Sequence, residues 1–501
     1  MIAKIMSAAV LGLDAEIIEV EADVANGLPN TIIVGLPDTA VQESKERVKT
    51  AIKNSECSYP PTRVSVNLAP ADVPKLGTHF DLPIALAILV ASEQLAFTTT
   101  NKLFAGELSL DGTLRRIPGV LAMVLRAKAR GISEIFVPAE NAEEAGLVSG
   151  MTIYPVITLS QLLQHLLEVT PIIPASAINI SALLQNNPVF LNMRDIAGQE
   201  MAKRALEIAA AGGHNILLSG PPGSGKTLLA RALAGILPNL ELEESLELTK
   251  IYSIAGKLSN NFISSRPIRN PHHTTSGVAL VGGGANPKPG EITLSHRGIL
   301  FLDEFPEFQR NVLEALRQPL EDGVVTVSRA SGTFTFPAKF TLVAAQNPCP
   351  CGYLGDGTKQ CICTQGQIFK YQKKISGPLL DRIDLHVEVP RLSYEKMQAD
   401  ANGDSSELMK SRVEKIRAVQ YMRFGAAKTN SEMNVVEIKK YCQLSPEVDQ
   451  RLSLAMKRYN FSGRSLHRIL KVARTIADLD EEEVITVKSL GEAIQYRPKT
   501  E

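Results

Sequence analysis

Short runs in which apolar and polar residues alternate dominate the first third of the chain, with helical patterns between them. The runs AEIIEVEADV, NTIIVGLP, TRVSVNLAP and EIFVP are typical of half-buried strands. The stretches TAVQESKERVKTAIKNS and FDLPIALAILVASEQL have the spacing of helices. We therefore expect residues 1–167 to form an α/β domain of their own.

The pattern changes twice after that domain. Prolines and polar residues with weak periodicity occupy 168–190, which predicts a linker. Strands and helices alternate again over 191–395 and predict a second α/β core, whereas charged helical stretches such as RSLHRILKVARTIADLDEEE predict an all-α domain over 396–501. A chain of 501 residues is too long for one ordinary core, which agrees with several domains.

Charge and cysteine content narrow the class of protein. The chain has 53 basic and 53 acidic side chains, so binding to a polyanion requires a local basic patch. No apolar run is long enough to span a bilayer and no secretion signal is recognisable, so we expect a soluble, cytoplasmic protein with no membrane partner. Six cysteines in such a chain do not indicate a disulfide framework.

A glycine-rich loop lies between the apolar strand HNILLS and the helical LLARALAG. It matches the pattern G-x-x-x-x-G-K-[ST], in which backbone N–H groups surround nucleotide phosphates, the lysine reaches the β- and γ-phosphates, and the hydroxyl binds Mg²⁺. A glycine loop without a ligand is the alternative. The predicted ATP-binding residues are Gly220, Pro221, Pro222, Gly223, Ser224, Gly225, Lys226 and Thr227.

Two later strands end in polar residues that suit the same site. GILFLDE ends in Asp303 and Glu304, and KFTLVAAQNP reaches Asn347. Because the carboxyl ends of parallel strands meet at one edge of a sheet, these side chains are expected beside the phosphates. Asp303 would then bind Mg²⁺ with Thr227, Glu304 would polarise the attacking water, and Asn347 would hydrogen-bond the γ-phosphate or that water. Solvated acids and a turn residue before a proline are the structural alternatives.

These motifs together resemble AAA+ ATPases, in which a P-loop core with a parallel sheet carries a helical lid. SGPLLDRIDLHVEV is similar to the arginine-finger segment of the magnesium-chelatase and MCM branch, which implies that Arg382 reaches the γ-phosphate of a neighbouring subunit. NFSGRSLHRIL resembles the sensor 2 helix, which implies that Arg464 contacts the nucleotide. A surface salt bridge is the alternative role for each arginine.

Two segments are candidates for contact with DNA. EDGVVTVSRASGTFTFPAKF alternates at period two on both sides of a glycine-containing turn, which predicts a β-hairpin with Arg329 near its tip. SGVALVGGGANPKPGE interrupts a helical stretch and contains Lys288. In the magnesium-chelatase and MCM branch, insertions at these two places line the central channel, where a basic side chain can follow a phosphate backbone. A solvated hairpin and a structural loop are the alternatives.

Four of the six cysteines lie within fifteen residues. Two C-x-C pairs separated by nine residues can bring four thiolates to one tetrahedral metal ion, which predicts a structural Zn²⁺. Reduced cysteines and a redox pair are the alternatives. The predicted zinc ligands are Cys349, Cys351, Cys361 and Cys363.

The N-terminal domain resembles the proteolytic domain of Lon through LAPADVPKLGTHFDLPIALAILVASEQL and FAGELSLDGTLRRIPGVL. That family requires a serine and a lysine, but this chain has His79 near the first position and Leu121 at the second. Covalent peptide hydrolysis therefore lacks its nucleophile and base. We expect an inactive Lon-like fold that serves assembly or substrate binding.

The whole chain resembles the YifB/ComM family of magnesium-chelatase-like proteins, most specifically in GLPDTAVQESKERV, RPIRNPHHTTSGVALVGGG and NPCPCG. The resemblance implies a homo-hexameric ATPase and DNA branch-migration helicase that acts on single-stranded or branched DNA with recombination proteins during natural transformation. A chelatase motor that inserts Mg²⁺ into a tetrapyrrole and an ATP-dependent Lon-like protease are rivals, although the missing dyad disfavours the protease. A scaffold that binds ATP without turnover is a further alternative.

Overall fold

Two compact units make up the part of the chain that the computed structural model describes, which is residues 2–176, 178, 183, 191–284, 287–329, 332–357, 359–393 and 403–498. The first unit contains residues 1–186 and 241–264, and the second contains 187–240 and 265–501. Most of the predicted linker lies outside the described residues. The predicted boundaries of three domains and a linker remain predictions.

The first unit is built on a mixed sheet, a parallel sheet and a short ribbon. Strands pair in the order β1-β2-β4-β3, in which only β3 and β4 are parallel, and β5-β8-β9 form the parallel sheet. The short β6 and β7 pair with each other. These strands are β1 (Ala3–Leu11), β2 (Asp14–Ala25), β3 (Asn30–Val34), β4 (Arg63–Ala69), β5 (Lys102–Phe104), β6 (Glu107–Leu108), β7 (Leu114–Arg115), β8 (Glu134–Pro138) and β9 (Thr152–Val156).

Helices cover the sheets of the first unit. The first five are α1 (Thr39–Asn54), α2 (Asp81–Ala91), α3 (Val120–Ala129), α4 (Ala142–Ala145) and α5 (Leu159–Leu166). Because almost every residue of α2 is apolar, this helix is buried on nearly all sides and forms the centre of the core. The strands and helices predicted from the sequence for this region are present.

The two positions compared with the Lon dyad are structural in this fold. His79 is buried, and burial lowers its pKa to about 4, so the ring is neutral at pH 7. Leu121 is buried in α3, and its backbone N–H donates to Oε1 of Glu144 at 2.8 Å. Both positions therefore lie in the packed core, and neither holds the serine or the lysine of that dyad.

The second unit is built on a five-stranded parallel sheet in the order β11-β14-β17-β10-β18. The central strands are apolar along their length because both faces are covered. Two antiparallel ribbons, β12–β13 and β15–β16, stand apart from it. The strands are β10 (Ile216–Ser219), β11 (Ile268–Arg269), β12 (Gly282–Gly283), β13 (Lys288–Pro289), β14 (Ile299–Leu302), β15 (Val324–Arg329), β16 (Gly332–Pro337), β17 (Thr341–Gln346) and β18 (Leu385–Glu388).

The remaining helices surround this sheet and form the C-terminal region, except for α8, which belongs to the first unit. In chain order they are α6 (Glu200–Gly212), α7 (Lys226–Ala232), α8 (Leu242–Ile254), α9 (Gly277–Val281), α10 (Glu291–Leu294), α11 (Arg310–Glu314), α12 (Arg317–Asp322), α13 (Gln365–Gln372), α14 (Gly377–Leu380), α15 (Ser406–Phe424), α16 (Val435–Tyr441), α17 (Pro446–Tyr459), α18 (Gly463–Leu479) and α19 (Val487–Gln495). The predicted fold class is confirmed: α/β structure with a parallel sheet around the P-loop and a helical C-terminal region.

Candidate nucleotide-hydrolysis site

Three neighbouring strands of the second unit end at the same edge of the parallel sheet. The P-loop follows β10, Asp303 follows β14 and Asn347 follows β17, and β17 lies between the other two strands. Their parallel direction places all three carboxyl ends together. The residues predicted from strand ends therefore lie side by side.

The backbone of the P-loop needs glycine at two places for different reasons. A Cβ on Gly220 would lie 2.1 Å from the carbonyl oxygen of Val389, so no side chain fits there. Gly225 has φ 92° where the loop enters α7, and a Cβ there would meet no atom within 4 Å. The loop is thus closely packed at its start and open before the helix, where the N-terminal N–H groups of α7 favour an anion.

Lys226 holds its ammonium group among oxygen atoms of the site. Its Nζ donates to the carbonyl oxygens of Gly220 at 2.8 Å and Pro221 at 2.9 Å, and to Oδ1 of Asn347 at 3.3 Å. Burial lowers the pKa of Lys226, and the carboxylate of Asp303 opposes that shift. The P-loop lysine and the asparagine at the end of β17 are therefore in direct contact.

Thr227 and Asp303 form a pair of hard oxygen ligands. Oγ1 of Thr227 donates to Oδ2 of Asp303 at 2.9 Å, and Oδ1 of Asp303 accepts from the backbone N–H of Glu304 at 2.9 Å. Mg²⁺ is bound in proteins through one or two such oxygens together with phosphate oxygens and water. The hydroxyl of Ser224, in the same loop, is buried and has no hydrogen-bond partner in the described part of the chain. These donors and acceptors fit a magnesium nucleotide.

Glu304 projects from a left-handed turn and faces a histidine. Its φ is 52°, a region that few non-glycine residues adopt, and its side chain is 55% exposed. Nδ1 of His273 lies 3.0 Å from Oε2 of Glu304, and the ring of His273 lies 4.1 Å from that of His272. Sequence reasoning did not predict His273 as a site residue. The available signal was its place in the family-specific stretch RPIRNPHHTTSGVALVGGG, four residues before α9 begins at Gly277.

Arg382 lies outside the group around the P-loop. It is buried, donates to the carbonyl oxygen of Pro378 at 2.7 Å and pairs with Glu321 of α12. Its hydrogen bond to Glu321 lowers the pKa of that carboxyl. Among the described residues, no hydrogen bond or ion pair joins Arg382 to Lys226 or Asp303. Its predicted role in a neighbouring subunit's site requires it to exchange Glu321 for another anion.

Arg464 and Arg468 differ although both lie near the start of α18. Arg464 is exposed, and its charge contributes to the lowered pKa of Glu321. Arg468 instead pairs with the buried Asp384, which also lies 3.2 Å from Nδ1 of His214. Arg464 is therefore available to an external anion, and Arg468 connects α18 with the residue that precedes β18.

The four clustered cysteines converge next to this site. The Sγ atom of Cys349 lies 3.4 Å from that of Cys351 and 3.7 Å from that of Cys361, and the two latter sulfurs are 3.6 Å apart. With Cys363, all four sulfurs lie within 4.8 Å of one another. A tetrahedral ion with Zn–S bonds of about 2.3 Å separates its sulfurs by about 3.8 Å. The cluster therefore matches the dimensions of a four-thiolate metal site.

The two segments predicted to contact DNA are antiparallel ribbons of the second unit. Lys288 is exposed and pairs with Gly283 across β12–β13. In the β15–β16 hairpin, Arg329 pairs with Gly332. The side chain of Arg329 and the two residues of the hairpin tip lie outside the described residues.

Comparison with known proteins places this site in a class. Residues 20–141 match the family model "Subunit ChlI of Mg-chelatase", residues 192–397 match "Magnesium chelatase, subunit ChlI", and residues 403–497 match "Magnesium chelatase, subunit ChlI C-terminal". The fold and these matches define an AAA+ ATPase of the magnesium-chelatase type.

Two full-length relatives and one partial match identify the family of the chain more closely. Competence protein ComM of Haemophilus influenzae is 44% identical over 99% of this chain and 97% of its own length. YifB of Escherichia coli is 43% identical over 98% of this chain and 96% of its own. The magnesium-chelatase 38 kDa subunit of Rhodobacter capsulatus is 30% identical over 33% of this chain and 52% of its own. The chain belongs to the magnesium-chelatase-like family that contains YifB and ComM. Among its described residues, no helix is both long and apolar enough to cross a membrane.

Proposed function

We propose that this protein is a homo-hexameric ATPase that moves branched DNA, as a branch-migration helicase that aids recombination during natural transformation. The observation that carries the ATPase part is a pair of hydrogen bonds at one sheet edge, from Lys226 to Asn347 and from Thr227 to Asp303. The DNA part rests on the full-length similarity to competence protein ComM. Because the activity needs cellular ATP and Mg²⁺, the proposed site of action is the cytoplasm.

Each residue at this carboxyl edge of the parallel sheet has a proposed role in ATP hydrolysis. The P-loop N–H groups and Lys226 bind the phosphates, so Lys226 exchanges its carbonyl acceptors for phosphate oxygens. Thr227 and Asp303 hold Mg²⁺, and Asn347 orients the γ-phosphate or the water. Glu304 polarises that water. Bound ATP and Mg²⁺ supply the transferable phosphoryl group and the charge that neutralises it.

His273 is proposed to position Glu304. Glu304 is exposed and emerges from a left-handed turn, so its carboxylate has many accessible directions. Nδ1 of His273 at 3.0 Å fixes one of its oxygens and leaves the other for water. His273 acts through the carboxylate and is therefore a positioning residue.

Ring assembly completes the proposed site. Arg382 would leave Glu321 and reach the γ-phosphate of the neighbouring subunit, and the exposed Arg464 would contact the nucleotide. An arginine supplied by a neighbour neutralises charge in the transition state and makes turnover depend on assembly. Lys288 and Arg329 are proposed to contact single-stranded or branched DNA within the ring, with recombination proteins as further partners.

The first experiment measures ATP hydrolysis by the full chain with no DNA, with single-stranded DNA and with a four-way junction, together with strand exchange in a labelled junction. We expect DNA to raise the rate of ATP hydrolysis. We also expect the protein to separate four-way junctions into duplexes by branch migration, and only in the presence of ATP. Glu304→Gln should abolish both activities. Glu307→Gln, which changes a nearby carboxylate paired with Lys374, should keep both. If neither DNA changes the rate of ATP hydrolysis, the proposed helicase activity is contradicted.

A chelatase-type motor is the second candidate, because all three matching family models describe a magnesium-chelatase subunit. Such a motor couples the same ATPase to insertion of Mg²⁺ into a tetrapyrrole by separate subunits. For such a motor, we expect DNA to leave the rate of ATP hydrolysis unchanged and chelatase subunits loaded with porphyrin to change it. The assay with and without DNA therefore separates the two candidates.

One structural Zn²⁺ per chain is proposed at Cys349, Cys351, Cys361 and Cys363. The support is the set of four sulfurs within 4.8 Å, which suits a closed site for a thiophilic ion. Because four thiolates bind one tetrahedral ion, metal analysis of the purified full chain should find about one zinc per chain. Protein without bound metal after purification with zinc in the medium would contradict the assignment.

A further inference from the structure

The cysteine cluster is joined to the hydrolysis site by only one residue of chain. Asn347 ends the run from β17, Pro348 follows, and Cys349 is buried as the first of the four sulfurs. A proline has a fixed φ, so little freedom separates the amide of Asn347 from the sulfur of Cys349. Anything that fixes the sulfur therefore also restrains the amide.

The loop between the two C-x-C pairs also touches the P-loop. Gly352, whose N–H donates to the carbonyl oxygen of Cys349 at 3.0 Å, has φ 84°. A Cβ on Gly352 would lie 2.6 Å from Cδ of Pro222 and 3.8 Å from Cγ of Asn347. Only a bare backbone fits between these residues, so the cysteine loop packs directly against the loop that binds phosphate.

A helix fixes the other end of the cluster to the same place. Thr364 follows Cys363 and caps α13, with its hydroxyl accepting from the N–H of Gln367. Tyr371 of that helix is buried, and burial raises its pKa to about 12, a shift that a backbone hydrogen bond from Asn347 opposes. Both ends of the cysteine segment therefore restrain Asn347: Cys349 through the chain at Pro348, and the helix after Cys363 through Tyr371.

We propose that the metal at the four cysteines sets the position of Asn347 beside the P-loop, so that zinc occupancy controls the rate of ATP hydrolysis. This inference rests on the proposed ATPase and on the proposed zinc site. Four Zn–S bonds close the loop, and metal binding supplies free energy that the exposed side chains of Leu354 and Ile362 do not supply by burial. A group displaced by about 1 Å from its reacting geometry loses about 100-fold in rate.

The decisive comparison uses cysteines inside and outside the cluster in the full chain. In Cys351→Ser/Cys361→Ser we expect zinc to fall from one per chain to none and the turnover number for ATP to fall at least about 10-fold. Cys57→Ser and Cys442→Ser, which change cysteines outside the cluster, should keep both zinc and turnover. A zinc-free variant with unchanged turnover would overturn the inference.

A double-mutant cycle tests whether the metal acts through Asn347. Asn347→Ala should lower turnover, and adding Cys351→Ser/Cys361→Ser should lower it by less than about twofold more, because both changes remove the same interaction. If the two losses multiply, the metal does not act through Asn347 and the inference is wrong. The same cycle run with Cys57→Ser should show independent effects.

Two further measurements separate this inference from misfolding and from a failure of the proposed function. Zinc removed from the wild-type chain by a zinc-selective chelator in excess Mg²⁺ should lower turnover, and added Zn²⁺ should restore it, which an unfolded variant cannot imitate. Binding of a fluorescent ATP analogue should persist in the zinc-free protein with a smaller change than turnover. If the wild-type chain binds one zinc and the analogue but hydrolyses no ATP, the proposed function fails; if it hydrolyses ATP equally with and without zinc, this inference fails.

Discussion

The ammonium group of Lys226 is a strong constraint on what this site binds. It is buried with three oxygen acceptors, and two of them are backbone carbonyls that carry no full charge. Burial lowers its pKa, so the charged form is held at a cost in free energy that a phosphate would reverse. The site is therefore electrostatically suited to an anion.

Lys226→Ala should weaken ATP binding strongly. The change deletes at least two charge-assisted hydrogen bonds to phosphate, each of about 1.5–3 kcal/mol, so we expect affinity to fall about 100-fold or more. Lys203→Ala is a matched control, because Lys203 is also buried in the second unit but pairs with Glu200. Titration with a fluorescent ATP analogue measures both. Equal affinities for wild type and Lys226→Ala would refute the phosphate assignment.

His273→Ala should lower the turnover number about 10-fold and leave KM for ATP unchanged, because a positioning residue for Glu304 acts on water and not on nucleotide binding. His273→Gln, which keeps a hydrogen-bonding side chain, should recover part of the rate. His272→Ala removes the neighbouring ring, whose Nδ1 contacts Thr274, and should have little effect. A rise in KM without a change in turnover would assign His273 to nucleotide binding.

The contrast between Asn347 and His273 explains how much of the site the sequence could predict. Asn347 follows an apolar strand, and parallel strands bring their carboxyl ends together, so its neighbourhood follows from pattern and topology. His273 lies in a loop with no periodicity, and only the folded chain places it at Glu304. Arg464 and Arg468 share one helix terminus, yet tertiary contacts leave one exposed and pair the other.

At the scale of elements, one buried network connects α18 to the start of β18. Asp384 accepts from Arg468 and from the ring of His214, which lies just before β10. Burial acts to raise the pKa of Asp384, but Arg468 and His214 outweigh it and hold the pKa below the ordinary value of 3.8. The network therefore links the helical region to the strand beside the P-loop strand.

Asp384→Asn should destabilise the second unit by about 3 kcal/mol, because it removes the buried carboxylate that pairs with the half-buried Arg468. Because the folded pKa of Asp384 is depressed, its contribution is present above the unfolded pKa and is lost as pH falls through and below that value. Chemical denaturation at pH 7 and at about pH 2, which is below the ordinary pKa of 3.8, measures both effects. Asp381→Asn, a nearby half-buried carboxylate, is the control. An unchanged midpoint for Asp384→Asn would exclude this role.

The sequence predicted which segments form strands and helices more readily than it predicted the unit in which each segment packs. Alternation predicted the strands of the first unit, and a helical period predicted α1 and α2, because each pattern reflects one buried face. The placement of α8 was not predictable in this way. An amphipathic helix shows that one face is covered but not which unit covers it. Here Ile254, the last residue of α8, joins the core of the first unit, as does Phe262 in the segment that follows.

At the scale of the whole molecule, the chain leaves the second unit after residue 240 and returns at 265. Polar contacts hold the inserted segment within the first unit: the hydroxyl of Ser253 donates to Glu144 at 2.5 Å and accepts from the N–H of Gly119 at 2.8 Å. The first unit therefore cannot be removed without uncovering part of the segment that joins α7 to β11.

A fragment of residues 191–501 should aggregate or sediment as large particles. It retains Ile254 and Phe262 but lacks the core that buries them in the first unit, which exposes apolar surface. The same fragment with Ile254→Ser and Phe262→Ser should be more soluble, while these changes should destabilise the full chain. Sedimentation velocity distinguishes the cases. A monodisperse unaltered fragment would show that 241–264 does not need the first unit.

Arg382 allows a test of the ring that uses two inactive proteins. Arg382→Ala lacks the proposed finger and Glu304→Gln lacks the residue proposed to polarise water, and each alone should lose about 10³-fold or more in turnover. If the finger acts on a neighbour, an equal mixture forms intact composite sites at about a quarter of its interfaces, because an Arg382→Ala subunit keeps Glu304 and its neighbour supplies Arg382. Turnover should then reappear on mixing. If Arg382 serves only its own subunit through Glu321, every site stays defective and mixing restores nothing.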